Sequence, residues 1–434
     1  MPTYKQALEY LDSFTNYEKI GFNNIEKEFD LTRLRKVLKK LGQPHHDYRS
    51  VHVAGTKGKG SICTFTSSIL EEAGYRVGLF TSPHLVAPEE RIKVNGKAIG
   101  KADLVRTLEH LKKHLGPAAR REFTFFEIYT LIAVLHFSMK KVDFAVFETG
   151  MGGRLDATNV IDAEVCGIAP ISYDHTQVLG GTLEKIAQEK AAIIKHGSCC
   201  VSSPQRASVL RVIKDRCRRE GAALSVVEKD ITYRLRRLDE EGSLFDIHGR
   251  KKRYDKCRTK MPGEFQLTNC ATAVGICEEV LMEKDLTEDA VKKGIERAFI
   301  PGRLEALCRD PLVVIDGAQN AASAQQLKYS VEQIFRYDRL ILLLGISRGK
   351  DIKGVCRHLA GLADEIVLTR ASSERAEDPH LIRGYIKGKR VKITTSAKEA
   401  LGMALHLAGE KDMILATGSF FLIGEIRNLI NVNR

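Results

Sequence analysis

Three observations predict an α/β chain built as two lobes, each around a mainly parallel sheet. Apolar strand-like runs alternate with helical segments from Val51 to about Gly197, and a second alternation follows Pro301-Gly302. The chain has 434 residues, more than one hydrophobic core usually serves. With 43% hydrophobic and 28% charged residues, its composition is that of an ordinary globular protein. The division is placed near Phe299 to Pro301, giving lobes of residues 1–298 and 299–434.

In chain order, Tyr4 to Leu41 is helix-rich. Ser50 to Ala54 reads as a strand and Ser61 to Ala73 as a helix; Val142 to Glu148 and Val165 to Ile171 read as further strands. From about Ala223 to Tyr254, short β-like stretches with a turn at Glu241-Gly242 predict an antiparallel insertion. Thr268 to Met282 returns to helix. Leu312 to Ile315, Leu340 to Gly345, Glu365 to Leu368, Val391 to Thr394 and Met413 to Ala416 then read as strands of a smaller doubly wound domain. No internal repeat or low-complexity tract interrupts this order.

The ten cysteines include no CxxC pair, which predicts reduced and mostly buried thiols. No apolar run approaches the ~20 residues that span a bilayer, and the polar start Met1-Pro2-Thr3-Tyr4-Lys5 lacks a secretory apolar core. The expectation is a cytoplasmic protein with no membrane partner. Lys and Arg outnumber Asp and Glu, 68 to 55, for a formal charge of +13. Such a balance favours anionic partners, among them nucleotides, polycarboxylates and nucleic acid. Tryptophan is absent and basic residues do not interleave with aromatics, so nucleic acid is disfavoured. The run Lys251-Lys252-Arg253 reads as a solvated hairpin face.

The segment Ala54-Gly55-Thr56-Lys57-Gly58-Lys59-Gly60-Ser61 falls between a strand and a helix, where a phosphate loop belongs. Gly55, Gly58 and Gly60 let backbone N–H groups curl toward an anion, Lys59 neutralises phosphate charge, and the Ser61 hydroxyl can reach Mg²⁺. Gly60 separates Lys59 from Ser61, so the strict GxxxxGK[ST] pattern is not met.

Glu148 ends an apolar strand before Thr149-Gly150-Met151-Gly152-Gly153, where a Mg²⁺-binding carboxylate would sit. Asp174-His175 follows another strand, and imidazole can bind metal. Because the carboxyl ends of parallel strands share one edge, these groups can converge on one ligand. Lys190 is anomalous: it shares a helical face with Leu183, Ala187 and Ile194, within about 40° at about 100° per residue. Burial there would favour the neutral amine, which can take up CO₂ as a carbamate; snorkelling or a buried ion pair is the plainer alternative.

These segments together resemble the folylpolyglutamate synthase and dihydrofolate synthase family of the Mur ligase superfamily. The resemblance runs through Tyr10-Leu11-Asp12-Ser13 with Asn16-Tyr17-Glu18, Thr81-Ser82-Pro83-His84-Leu85 with Glu90-Arg91-Ile92, and Gly152-Gly153-Arg154-Leu155-Asp156-Ala157-Thr158-Asn159. It continues through Asp174-His175-Thr176, Glu189-Lys190-Ala191, Pro301-Gly302-Arg303-Leu304-Glu305, Asp316-Gly317-Ala318 with Asn320, and Thr417-Gly418-Ser419. It implies a P-loop central domain of Mur-ligase type with a Rossmann-like C-terminal α/β domain. The activity implied is ATP-dependent addition of L-glutamate to dihydropteroate or a reduced folate through an acyl phosphate.

By the same resemblance, ATP would meet Gly55, Thr56, Lys57, Gly58, Lys59, Gly60 and Ser61 on one side and Asn269, Arg303 and Asp316 on the other. Mg²⁺, at two sites, would be held by Ser82, Glu148 and His175 with Ser61 assisting, and Lys190 would carry the carbamate. Ser82, Pro83 and His84, Thr124, Phe125, Phe126 and Glu127, and Leu155, Asp156 and Ala157 would border the pterin-bearing acid. The groups expected to act in catalysis are Lys59, Lys190, His175, Asp316 and Gln319, in a monomer.

Two positions depart from the family pattern. Lys57 stands where Asn is usual and adds a charge beside the phosphates; Gln319 stands where His is usual and cannot carry a proton or charge. Two further readings stay open: a Mur-type ligase acting on another carboxylate and, on account of Gln319, a relative that binds nucleotide or folate with reduced turnover.

Overall fold

The computed structural model describes residues 2–20, 30–282 and 285–432. The first lobe is an eight-stranded sheet of β1 (Arg49–Ala54), β2 (Val77–Phe80), β3 (Ile92–Val94), β4 (Lys97–Ala98), β5 (Phe144–Glu148), β6 (Val165–Ile168), β7 (Cys199–Ser202) and β8 (Ala223–Val226). The order is β4-β3-β2-β5-β1-β6-β7-β8, with only the β2–β3 and β3–β4 pairings antiparallel. Because β1 lies between β5 and β6, the loop leaving β1 opens at the crevice where strand order reverses.

Val51 and Val53 of β1 are fully buried, as strands covered by helices on both faces require. Helix Lys59–Glu72 lies on this sheet through Ile62, Phe65, Ile69 and Leu70, and burying each such side chain stabilises by about 1.5–3 kcal/mol. Helix Glu288–Arg297 packs against it so closely that a Cβ at Gly294 would stand 2.5 Å from the Ile69 Cα. Glycine is what permits that contact.

An antiparallel sheet of β9 (Thr232–Asp239), β10 (Gly242–His248) and β11 (Arg253–Thr259) follows, then helix Phe265–Val280. The last sheet has the order β12-β13-β17-β14-β15-β16, from β12 (Glu305–Arg309), β13 (Leu312–Asp316), β14 (Leu340–Leu344), β15 (Glu365–Leu368), β16 (Arg390–Ile393) and β17 (Met413–Thr417). All neighbours in it are parallel except β12 with β13.

The expected architecture is met, with local differences. Helices Tyr4–Asp12, Tyr17–Ile20 and Leu31–Lys40 fill the helix-rich start, residues 21–29 lying outside the described part. The strand expected over Val165 to Ile171 ends at Ile168, since Pro170 has no N–H for the ladder. Ala223–Val226 joins the parallel sheet as its edge, so the antiparallel insertion begins only at Thr232. Lys251 and Lys252 sit at a hairpin tip as expected, but they are not simply solvated. The Lys251 ammonium donates to the carbonyls of Glu278 and Leu281, closing the C-terminal end of helix Phe265–Val280, and Lys252 Nζ donates to that of Leu286 beyond it at 2.9 Å. All ten cysteines are unbridged. Among the described residues, no helix is long and apolar enough to cross a membrane.

Candidate active site

The carboxyl edges of the two large sheets border one cleft of about 1570 Å³. Its first wall is the loop after β1. Gly58 caps helix Lys59–Glu72 at φ +88°, and a Cβ there would strike Asn269 Oδ1 at 2.5 Å. Gly55 has φ +152°, and a Cβ would meet Ala169 Cβ at 2.5 Å. Pro170, which stops β6, offers its carbonyl to the Thr56 N–H at 3.0 Å and the Lys57 N–H at 3.4 Å. The loop is thus held by the strand next to it, while Thr56 to Ser61 line the cleft. Burial lowers the Lys57 pKa, an effect that Asp174 opposes.

Glu148 pairs in register with Val53, one residue before the loop starts. Its Oε2 accepts the Ser82 N–H at 3.1 Å, and Oε1 stands 3.9 Å from Lys59 Nζ. Burial raises its pKa, and Lys59 pulls the other way. A Cβ on Gly60 would come within 3.4 Å of Glu148 Oε2, so the carboxylate abuts the first helical turn beside Ser61. The donor set of this corner fits Mg²⁺: one carboxylate with the hydroxyls of Ser61 and Ser82, all hard oxygens. Among the described residues, no three His, Cys, Asp or Glu side chains gather as a metal site. A cation here would therefore complete its shell with phosphate oxygens and water, as Mg²⁺ commonly does.

His175 also lines the cleft, in a left-handed conformation at φ +48°, with Nε2 3.8 Å from Asp174; burial lowers its pKa. Lys190 lies beneath the loop. Only 3% exposed, it donates from Nζ to the Gly55 carbonyl at 2.8 Å, and burial brings its pKa down to about 7, with Lys59 adding to the effect. It is buried rather than snorkelling, forms no ion pair among the described residues, and ties helix Leu183–Ala191 to the phosphate loop through its bond to the Gly55 carbonyl.

Of the residues expected around the acid substrate, Ser82, Pro83, His84, Thr124, Phe126, Glu127, Leu155, Asp156 and Ala157 line the cleft, but Phe125 does not. Phe125 is the first residue of helix Phe125–Met139 and turns inward, its ring 5.2 Å from the Arg91 guanidinium. Glu127 closes a capping box, Oε2 accepting the Thr124 N–H at 2.7 Å. Asp156 accepts the N–H groups of Met151 at 2.8 Å and Thr158 at 3.0 Å, which fixes the Gly152 to Ala157 turn.

The C-terminal wall carries Arg303, its guanidinium 5.0 Å over the Phe420 ring, and Asp316 at the end of β13. Gln319 precedes helix Ala321–Ile334, and its N–H donates to Ser323 Oγ at 3.2 Å. Sequence reasoning did not assign Glu18, Lys350 or Arg375, which also line the cleft. Glu18 and Arg375 are 357 positions apart, so no local pattern could have joined them.

A phosphate loop at a strand-order reversal, a buried carboxylate beside it and a facing Rossmann-like edge define a Mur-type ligase. Family models agree: the Mur ligase middle domain matches residues 53–277, and the Mur ligase, glutamate ligase domain matches residues 302–420. The dihydrofolate synthase/folylpolyglutamate synthase of Bacillus subtilis is 32% identical over 403 residues, 92% of this chain and 94% of that protein. Mycobacterium tuberculosis folylpolyglutamate synthase complexed with ADP matches with a TM-score of 0.90 and 30% identity over 98% of each chain. Escherichia coli FolC in complex with DHPP and ADP matches with a TM-score of 0.88 and 26% identity over 100% of each. The chain belongs to the folylpolyglutamate synthase/dihydrofolate synthase family.

Proposed function

We infer that the protein is an ATP-dependent ligase that joins L-glutamate to the carboxylate of a pteroate or folate, with release of ADP and phosphate. The observation that carries this reading is the convergence of the phosphate loop, Glu148 and the Ser82 to His84 and Leu155 to Ala157 segments on one cleft faced by a cationic C-terminal edge.

A carboxylate is a poor acyl donor, so the acid must first take the γ-phosphoryl group. Alignment and charge screening do most of the work in such a transfer. The N–H groups of the loop and Lys59 hold the phosphates, Lys57 adds charge beside them, and Arg303 approaches from the other lobe. Glu148 with Ser61, Ser82 and His175 would hold Mg²⁺, which when bound would further screen the phosphate oxygens. Asn269 lines the cleft beside Gly58, where it would contact ATP. In this reading Lys190 carries a carbamate, a role that suits a buried amine whose pKa is brought down to about 7.

The second half of the reaction needs a glutamate amine and the exclusion of water. Arg375 and Lys350 line the C-terminal side of the cleft, and the Arg375 guanidinium bonds a neutral backbone carbonyl, so they suit the carboxylates of the incoming amino acid. Closure of the lobes, divided at about residues 298/299, would shield the acyl phosphate from water.

The test is phosphate release from Mg-ATP with dihydropteroate or a reduced folate and L-glutamate. Release that requires both, with a product heavier by one glutamyl unit, is the expected result. Equal release with and without them would contradict the reading, and turnover with another acid would favour a different Mur-type substrate.

A further inference from the structure

The N-terminal segment Asn16-Tyr17-Glu18 has no part in the mechanism above, yet it touches both lobes. The Glu18 backbone carbonyl accepts a hydrogen bond from Arg375 of the C-terminal lobe. Its carboxylate accepts from Arg91 of the first lobe, Nη1 at 2.9 Å and Nη2 on the second oxygen. The third donor of that guanidinium, Nε, reaches His84 Nδ1 at 2.8 Å. One residue thus joins the cleft histidine after β2 to the arginine after β15.

Each link has a physical reason to be firm. Arg91 is 1% exposed and lies 5.2 Å and 5.6 Å from the rings of Phe125 and Tyr129, so it needs a carboxylate in place of lost water. Both Glu18 oxygens meet it, the paired geometry in which guanidinium–carboxylate bonds are strongest. Asn16 Oδ1 accepts the Glu18 N–H at 3.0 Å and the Lys19 N–H at 3.3 Å, which fixes the backbone that presents the Glu18 carbonyl. Nδ1 of His84 accepts the Arg91 Nε–H, which leaves the ring's hydrogen on Nε2.

Arg375 is the unbalanced member. It is half-buried, its guanidinium bonds to a neutral carbonyl, and no carboxylate pairs with it among the described residues. A guanidinium has five N–H donors, so most remain for an anion in the cleft. We propose that Glu18 is a positioning residue of the ligase: its carbonyl aims Arg375 at a carboxylate of the incoming amino acid, and its carboxylate, through Arg91, ties that arginine to His84 on the acid-substrate side. The proposal rests on the ligase reading and adds how the two half-sites are held in step.

The experiment is steady-state kinetics on the full chain with Glu18→Gln, Glu18→Asp, Arg375→Ala and the Glu18→Gln/Arg375→Ala pair. Glu18→Gln is expected to raise KM for glutamate about tenfold while kcat and KM for ATP move less than about twofold, a split that loss of a purely structural contact would not give. Glu18→Asp should recover part of the loss. In the pair, the glutamate KM should equal that of Arg375→Ala alone, because residues acting through one contact are not additive. ADP affinity measured by calorimetry, unchanged across the set, shows that the phosphate-loop lobe is intact. Should Glu18→Gln fail to fold, Asn16→Ala leaves the buried pair in place and should still raise KM for glutamate about threefold.

An unchanged glutamate KM in Glu18→Gln, or in Asn16→Ala where that variant stands in, or full additivity in the pair, overturns the proposal while leaving the ligase reading intact. Absence of glutamate-dependent turnover in the unmodified protein overturns both.

Discussion

Two buried carboxylates occupy matching places in the two lobes: Glu148 ends β5 and Asp316 ends β13, each at the cleft end of a parallel strand. Burial raises the pKa of both. Their surroundings differ. Asp316 has each oxygen on a backbone N–H, Leu304 at 3.1 Å and Ala318 at 2.9 Å, so it pins the loop after β13 to the segment entering β12. Glu148 has one N–H, from Ser82, and its other oxygen faces Lys59 beyond hydrogen-bond range, at 3.9 Å. A strand-end acid is therefore only a candidate; what already satisfies its oxygens decides whether it pins the chain or waits for a ligand.

The sharpest way to break this comparison is to neutralise both acids. Glu148→Gln is expected to lower kcat by about 10²–10³, the range for losing one preorganised electrostatic group, with melting temperature little changed because the amide oxygen can still accept the Ser82 N–H and Lys59 keeps some contact with solvent. Asp316→Asn should do the reverse. It leaves a donor facing a backbone N–H, so stability should fall by about 1–3 kcal/mol while kcat falls less than in Glu148→Gln. Calorimetry and phosphate release on the two variants check this; equal catalytic losses would erase the distinction.

Next in size is Lys190. Lys190→Ala should cut the rate, and a short carboxylate such as acetate should restore part of it. With its pKa at about 7, the amine is neutral above that value, so CO₂-dependent activity should rise as pH passes upward through about 7. The stability sign follows from the same shift. Between about 7 and the ordinary lysine value of 10.5 the unfolded chain holds a proton that the folded one lacks, so stability falls as pH is lowered across that window. Lys190→Met should flatten that slope in pH-dependent melting.

The smallest effect belongs to the C-terminal edge. The Gln319 N–H is held by Ser323, and the residue faces the cleft without a charge. Gln319→His is expected to change kcat by less than about threefold, measured by phosphate release at saturating glutamate. A gain of a hundredfold would show that this edge is impaired.

What was legible in the sequence follows the range of the forces involved. The phosphate loop and Glu148 could be found because each sits where an apolar run stops, a local pattern, whereas Asp316 was reached only through the family resemblance. The buried face of Lys190 followed from helical periodicity for the same reason. The inward turn of Phe125 was not legible, because it depends on Arg91 lying across its ring. Nor was β12, whose alternation is short and whose pairing is set by β13. The Glu18, Arg91 and Arg375 contacts span 73 and 357 positions, and packing alone brings them together.

The central claim is that the acid substrate and the γ-phosphoryl group meet in the cleft beside Glu148 and Lys59. The most direct measurement uses dihydropteroate or a reduced folate with ¹⁸O in its carboxylate, together with Mg-ATP and L-glutamate, and reads the phosphate by mass spectrometry. Transfer of one labelled oxygen into each phosphate released is the result expected of an acyl phosphate formed there. Unlabelled phosphate accompanying glutamylated product would contradict it.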